Sequence, residues 1–263
     1  MKADYKNWMP KGMVVSFLGA AILSFLLLLV FGIMPVVGDI GIRRVLGIVF
    51  SVTTIILGLV SLWMFLMYRA FSYDGSRQLS KQIVDGIAEY VKVPDGGKCL
   101  DVGCGSGALT IACAKRNPKA SLVGIDRWGK EYASFSKKLC ENNSAAEGVD
   151  NTSFQQGDAT RLPFEDETFD AVTSNYVYHN IPTKNRQEIL LETLRTLKKG
   201  GTFAIHDIMS KSRYGDMNSF AKKLKDMGYE EVQLIDTTDG KFMSKWESLW
   251  MELSGSTLLV GRK

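Results

Sequence analysis

The sequence predicts an α/β fold, a doubly wound and mostly parallel seven-stranded sheet, preceded by a two-helix transmembrane hairpin. Three observations carry this. Two long uncharged apolar blocks precede Arg69, short apolar runs alternate with stretches of helical spacing after it, and a glycine-rich turn, Gly103-Cys104-Gly105-Ser106-Gly107, follows the first of those runs. Strand alternating with helix is the pattern of a parallel sheet covered on both faces.

The blocks run from Met13 to about Val37 and from Val45 to Tyr68. Each has about 24 residues, enough to cross a hydrocarbon core of roughly 30 Å. A signal peptide is the competing reading of the first, since Lys2, Lys6 and Lys11 precede it. Its apolar run, however, exceeds the roughly 7–15 residues of a signal core, no A-x-A-like site follows, and a second block comes directly after. A helical hairpin buried in a water-soluble fold is the other alternative. The polar turn Gly38 to Arg44 makes the two spans antiparallel neighbours. Lys2, Lys6, Lys11, Arg69, Arg77 and Lys81 flank the hairpin against Arg43 and Arg44 in the turn, which places both outer ends on the cytoplasmic side. The expectation is an integral membrane protein with an anchor over residues 1–70, membrane contact through residues 13–68, and a cytoplasmic catalytic domain over residues 71–263.

Five of the 32 basic and two of the 28 acidic residues precede Arg69, so the remainder is almost neutral. Nucleic acid is therefore not expected as a partner, because a domain that grips it carries a basic surface. Cys99, Cys104, Cys113 and Cys140 lack metal-ligand spacing and fit reduced thiols.

Past the anchor, Leu79, Ile83, Ile87 and Val91 recur at helical spacing within Ser76–Val91, with Ser76 as a plausible cap. Strands are expected at Lys98–Val102, Ser121–Ile125, Thr152–Gln156, Phe169–Ser174 and Thr202–His206. Helices are expected at Gly107–Arg116, Lys130–Ala146, Asn185–Leu197 and Gly215–Met227. Two final runs, Glu231–Ile235 and Thr257–Val260, pair antiparallel at one edge. Between them, Phe242, Met243, Trp246, Leu249, Trp250 and Met251 form an apolar helical stripe that either packs on the core or touches lipid or an apolar substrate.

The chemistry concentrates at strand ends. Leu100-Asp101-Val102-Gly103-Cys104-Gly105-Ser106-Gly107 closes the first strand and opens a helix, where glycines let the backbone approach a ligand. Its G-x-G-x-G spacing, with an acid two positions before the first glycine, departs from the dinucleotide pattern G-x-G-x-x-G. Asp126 ends the second strand and Asp158 follows the third. Three acids at the carboxyl ends of successive strands all face the crevice where open α/β sheets bind ligands.

At this point the chain closely resembles the class I S-adenosyl-L-methionine-dependent methyltransferases, in particular the small-molecule group that includes quinone and sterol methyltransferases. The resemblance covers about Ser76 to Lys263. It rests on Leu100 to Gly107, Asp126, Gly157-Asp158-Ala159 with Leu162-Pro163-Phe164, Phe169-Asp170-Ala171-Val172 and Leu197-Lys198-Lys199-Gly200-Gly201. It implies a Rossmann-like sheet, S-adenosyl-L-methionine as cofactor and no metal. By the same resemblance Asp101, Gly103, Gly105 and Gly107 meet the methionine end, Asp126 the ribose, and Asp158 with Ala159 the adenine. Arg127 and Trp128 flank ribose and adenine, and Asn175 lines the methionine side. The hairpin is no part of the family's core.

The chain has only two histidines, His179 and His206, both near strand ends that face the crevice. His179 or Tyr178 is the first candidate to face the acceptor, and His206 beside Asp207 the second. The expected partner is a small-molecule or lipid acceptor of lipid, quinone or sterol type. Small thiols or metalloids in detoxification are the alternative, and a non-catalytic cofactor-binding membrane protein is the third reading.

Overall fold

The computed structural model describes residues 2–129 and 134–263. The chain forms two compact units, one of residues 7–80 and one of Lys81–Lys263 together with the residues up to Lys6. Sequence reading divides the chain earlier, at residue 70, and assigns the first residues to the anchor.

In the smaller unit, helix α1 (Lys11–Leu27) continues as a π-helical turn to Ile33, and α2 spans Ile40–Phe71. Both are long and apolar enough to cross a membrane, with mean hydropathies of 2.8 and 2.5 over their apolar windows. The turn between them is shorter than expected. The Asp39 carboxylate accepts the Ile42 amide at 2.8 Å and caps α2, so Arg43 and Arg44 lie in its first turns instead of the connection. Small and hydroxylic residues join the helices. A Cβ on Gly32 would fall 2.7 Å from the Cα of Gly47, and Thr54 donates to Ser24 at 3.0 Å. The outer faces are bare, with Ile48 67% and Leu59 63% exposed.

The larger unit begins at Lys81 within α3 (Leu79–Ala88), which starts later than the spacing predicts because Gln78 is left-handed (φ 47°). The strands are β1 (Lys98–Val102), β2 (Ser121–Asp126), β3 (Thr152–Gln156), β4 (Phe169–Asn175), β5 (Leu197–Ile208), β6 (Glu230–Asp236) and β7 (Ser256–Arg262). They form one seven-stranded sheet in the order β3-β2-β1-β4-β5-β7-β6. The first five are parallel, and β7 runs antiparallel to both β5 and β6. The strand order reverses beside β1, which puts the ligand crevice outside the carboxyl ends of β1 and β4.

The helices are α4 (Ala108–Arg116), α5 (Lys137–Ala146), α6 (Arg186–Arg195), α7 (Lys211–Tyr214), α8 (Met217–Asp226) and α9 (Lys245–Trp250). Of the expected helix Lys130–Ala146, residues 130–133 lie outside the described residues, and α5 starts where the Ser136 hydroxyl accepts the Leu139 amide at 3.1 Å. The expected helix Asn185–Leu197 stops at Arg195, because Leu197 pairs with Phe169 as the first residue of β5. The apolar stripe after β6 divides: Phe242, Met243 and Met251 are buried, whereas Trp246 and Leu249 on α9 are 71% and 64% exposed. The core beneath β1, β4 and β5 is built from Leu100, Val172, Phe203, Ile205, Leu190 and Leu259.

Candidate active site

The glycine turn grows out of β1 because three left-handed positions, Gly103 (φ 73°), Gly105 (φ 54°) and Gly107 (φ 82°), fold the chain back into α4. A side chain at Gly103 would lie 2.2 Å from Val177, so the segment after β4 packs directly on the turn. Asp126 closes the turn from β2. One carboxylate oxygen accepts the Gly105 amide at 2.9 Å and the other the Trp128 amide at 2.7 Å, while the Trp128 indole donates to the Gly105 carbonyl at 3.0 Å.

Asp101 lies behind this ring, 2% exposed, accepting from the Thr110 hydroxyl at 2.6 Å. Burial raises its pKa to about 7, helped by the charge of Asp126 and opposed by the Thr110 bond. Asp158 holds its own turn by accepting the Thr160 amide and hydroxyl at 2.8 and 2.7 Å, which keep it below the usual carboxylate range with help from Arg127. Ala159 packs against the core, and the Arg127 carbonyl accepts from the Gln156 amide at 3.0 Å.

The second cluster lies past β4 and β5. His179 follows a left-handed Tyr176 (φ 54°) in a short 3-10 turn, Tyr178–Asn180. Its Nδ1 meets Asp207 Oδ1 at 2.5 Å, and its amide donates to Asp207 Oδ2 at 3.1 Å. Asp207 is fully buried and also accepts the Ile208 amide at 2.6 Å. Burial raises its pKa, but the hydrogen bond and charge of His179 with the Ile208 amide outweigh burial and leave it low, hence ionised. The sequence sets Asp207 beside His206, yet the structure gives it to His179, because consecutive residues of β5 face opposite sides of the sheet.

Two expected acceptor-facing residues are placed otherwise. Tyr178 is fully buried in the core with its hydroxyl 2.8 Å from that of Thr193, and burial pushes its pKa well up. His206 is also fully buried, held between Asn175 Oδ1 and Thr237 Oγ1 at 2.9 Å each, and burial lowers its pKa to about 3. It is a neutral hydrogen bonder that engages Asn175 and supports Tyr176, whose ring centroid is 4.6 Å away.

Arg186, at the start of α6, holds the His179 segment in place. Its guanidinium donates to the carbonyls of Tyr178 (3.0 Å), Ile181 (3.2 Å), His179 (3.3 Å) and Arg213 (3.0 Å). It thereby ties the segment after β4 to the one after β5. A cation in the first turn of a helix opposes the helix dipole, and that misfit is the sequence signal for a tertiary role. Tyr214, next to Arg213, is buried with its hydroxyl close to Asp207, and burial together with that carboxylate's charge pushes its pKa well up.

Comparison with known proteins adds to this geometry. The profile of a family described as methyltransferase domain matches residues 94–251. An erythromycin 3''-O-methyltransferase of Saccharopolyspora erythraea is 26% identical over 205 residues, covering 67% of this chain and 64% of that protein. A demethylmenaquinone methyltransferase of Lactobacillus johnsonii is 36% identical over 165 residues, covering 59% and 65%. A sterol 4-C-methyltransferase of Caenorhabditis elegans is 30% identical over 132 residues, covering 50% and 37%. The chain spans less than two thirds of the length of each of these relatives. Among solved structures, a geranyl diphosphate methyltransferase in complex with GPP and sinefungin aligns with a TM-score of 0.55 at 14% identity, covering 74% of this chain and 81% of that one. The [4+2]-cyclase SpnF aligns equally well, at 0.55 and 18% identity, covering 71% and 82%. At such identities the likeness shows the fold alone.

Proposed function

This chain belongs to the methyltransferase-domain family, and from that premise we propose that it is an S-adenosyl-L-methionine-dependent methyltransferase acting at the cytoplasmic face of a membrane on a small or lipophilic acceptor of lipid, quinone or sterol type. The observation that carries the reading is one juxtaposition. The His179–Asp207 pair begins two residues past Val177, which packs on Gly103 of a turn closed by Asp126.

The residues fit the cofactor. Each Asp126 oxygen accepts one amide, and a carboxylate offers about four lone-pair directions, so ribose hydroxyls find acceptors there. Gly103, Gly105 and Gly107 keep side chains out of the approach, and an ammonium drawn towards Asp101 would favour its ionised form over the protonated one that burial promotes. Asp158, Ala159, Arg127, Trp128 and Asn175 are assigned to the same cofactor's adenine, ribose and methionine ends. When bound, S-adenosyl-L-methionine supplies a methyl group on a sulfonium that departs as a neutral thioether.

The protein's own work is alignment and proton removal. With Asp207 ionised, the proton between the pair belongs on His179 Nδ1, and Nε2 is left to accept. Nε2 would take the proton of an acceptor hydroxyl, freeing its oxygen to receive the methyl group that the bound cofactor would supply. Asp207 offsets the charge of the resulting imidazolium. His206 and Tyr178 act as supports for this pair.

The membrane reading is supported by two apolar helices whose windows are only 17% and 6% buried, whereas the core helix of a soluble protein is mostly covered. A lipophilic acceptor is supported by relatives named for erythromycin, a demethylmenaquinone and a sterol. Methylation of small thiols or metalloids is less well supported, since all four cysteines are buried.

Membrane extracts incubated with methyl-labelled S-adenosyl-L-methionine test the proposal. The chain is expected to yield a labelled lipid-soluble product, and His179→Gln to lower turnover about 10²-fold or more with cofactor affinity intact. Full turnover in that variant removes His179 from the mechanism, and no labelled product from any acceptor pool favours the non-catalytic reading.

A further inference from the structure

The larger unit takes in residues from both sides of the apolar hairpin, since the chain up to Lys6 belongs to the same compact body as Lys81–Lys263. The point of attachment is Asn143 on α5, only 2% exposed. Its Oδ1 accepts the Asp4 amide at 2.7 Å, and its Nδ2 donates to the Asp4 carbonyl at 3.0 Å and the Ser106 carbonyl at 2.9 Å. One side chain thus pairs with both main-chain groups of Asp4, as a neighbouring strand does, and carries the contact to the residue between Gly105 and Gly107.

Tyr5 adds an apolar hold. It packs against Cys104, Ile111, Cys140 and Phe154, the cluster that underlies the glycine turn, and its hydroxyl donates to Glu147 at 3.1 Å. Glu147 in turn pairs with Lys115 of α4. Cys140 also reaches the turn, donating to the Gly105 carbonyl at 3.2 Å. Without the arm, a buried amide loses two of its three partners, and an unsatisfied buried polar group is costly enough to shift the residues around it.

We infer that residues 2–6 are a strap that sets the glycine turn through Asn143, so that affinity for S-adenosyl-L-methionine depends on a segment placed before the first apolar helix in the chain. Asn143 is a positioning residue, for it acts on the cofactor through the Ser106 carbonyl. The inference rests on the cofactor reading given above.

Because Asp4 contributes its backbone while its side chain turns to Lys6, two substitutions at one position separate the alternatives. Calorimetric titration of the detergent-solubilised full chain with S-adenosyl-L-methionine is expected to give wild-type affinity for Asp4→Ala. Asp4→Pro, which removes the donated amide, is expected to weaken binding about fivefold to tenfold, as is Asn143→Ala. In turnover the loss falls on KM for the cofactor, with kcat at saturation kept within about twofold. Should Asn143→Ala fail to fold, Asp4→Pro alone decides, since it alters only the terminal arm. Unchanged affinity in Asp4→Pro overturns the strap while the wild type's own binding keeps the cofactor reading. No binding by the wild type overturns both.

Discussion

His179 and Asp207 stand 28 positions apart in sequence and 2.5 Å apart in space, and each alone is an ordinary loop or strand residue. Replacing Asp207 by Asn keeps the shape but removes the charge that holds the proton on Nδ1. Turnover of Asp207→Asn is expected to fall about 10²-fold or more with cofactor affinity unchanged, and a variant with full turnover contradicts the assignment. Asp101 allows a different check. Its folded pKa of about 7 lies above the 3.8 of an ordinary aspartate, so it favours folding below the ordinary carboxylate range and loses that contribution as pH rises through about 7. His206, lowered to about 3 from 6.5, has the opposite sign: it costs stability as pH falls below about 6.5. Comparing wild type with Asp101→Asn cancels the histidine. The melting point of the wild type is expected to fall relative to that variant between about pH 4 and 7, and a constant difference contradicts the buried, protonated Asp101.

At the level of elements, the strands were the most legible part. Lys98–Val102 and Thr152–Gln156 fold with the bounds their apolar runs predict, since each run is closed by turn residues. β5 begins earlier than its apolar run because Lys198, Lys199, Gly200 and Gly201 carry no such signal, while the Lys263 carbonyl accepts the Gly200 amide at 2.5 Å at the sheet's end. The glycine turn and its three acids were legible because their chemistry requires those residue types at those strand ends. The partner of Asp207 was not, because register and strand face decide it. Arg186 acts through backbone carbonyls, which leave no pattern in the residues they belong to. Its removal is expected to loosen two segments at once. Arg186→Met should lower kcat about tenfold with cofactor affinity kept, and Arg186→Lys should recover part of that loss, since one ammonium replaces some of four hydrogen bonds. Equal kcat in all three forms contradicts a positioning role.

For the whole molecule, the two units make separate demands. On the proposed membrane reading the hairpin's apolar surface meets lipid, and the basic residues at its outer ends set its orientation. Gly38, in the turn with open space around it, accepts a cysteine without strain, and the four native thiols are buried. A membrane-impermeant thiol reagent on intact cells is expected to label Gly38→Cys, and labelling only after lysis contradicts the topology. The larger unit's sheet, glycine turn and acids stand or fall together on the cofactor. Calorimetric titration of the solubilised chain with S-adenosyl-L-methionine, wild type against Asp126→Ala, tests this most directly. Micromolar binding that weakens at least about tenfold in the variant is the predicted result, and folded wild-type protein that binds no cofactor contradicts the account.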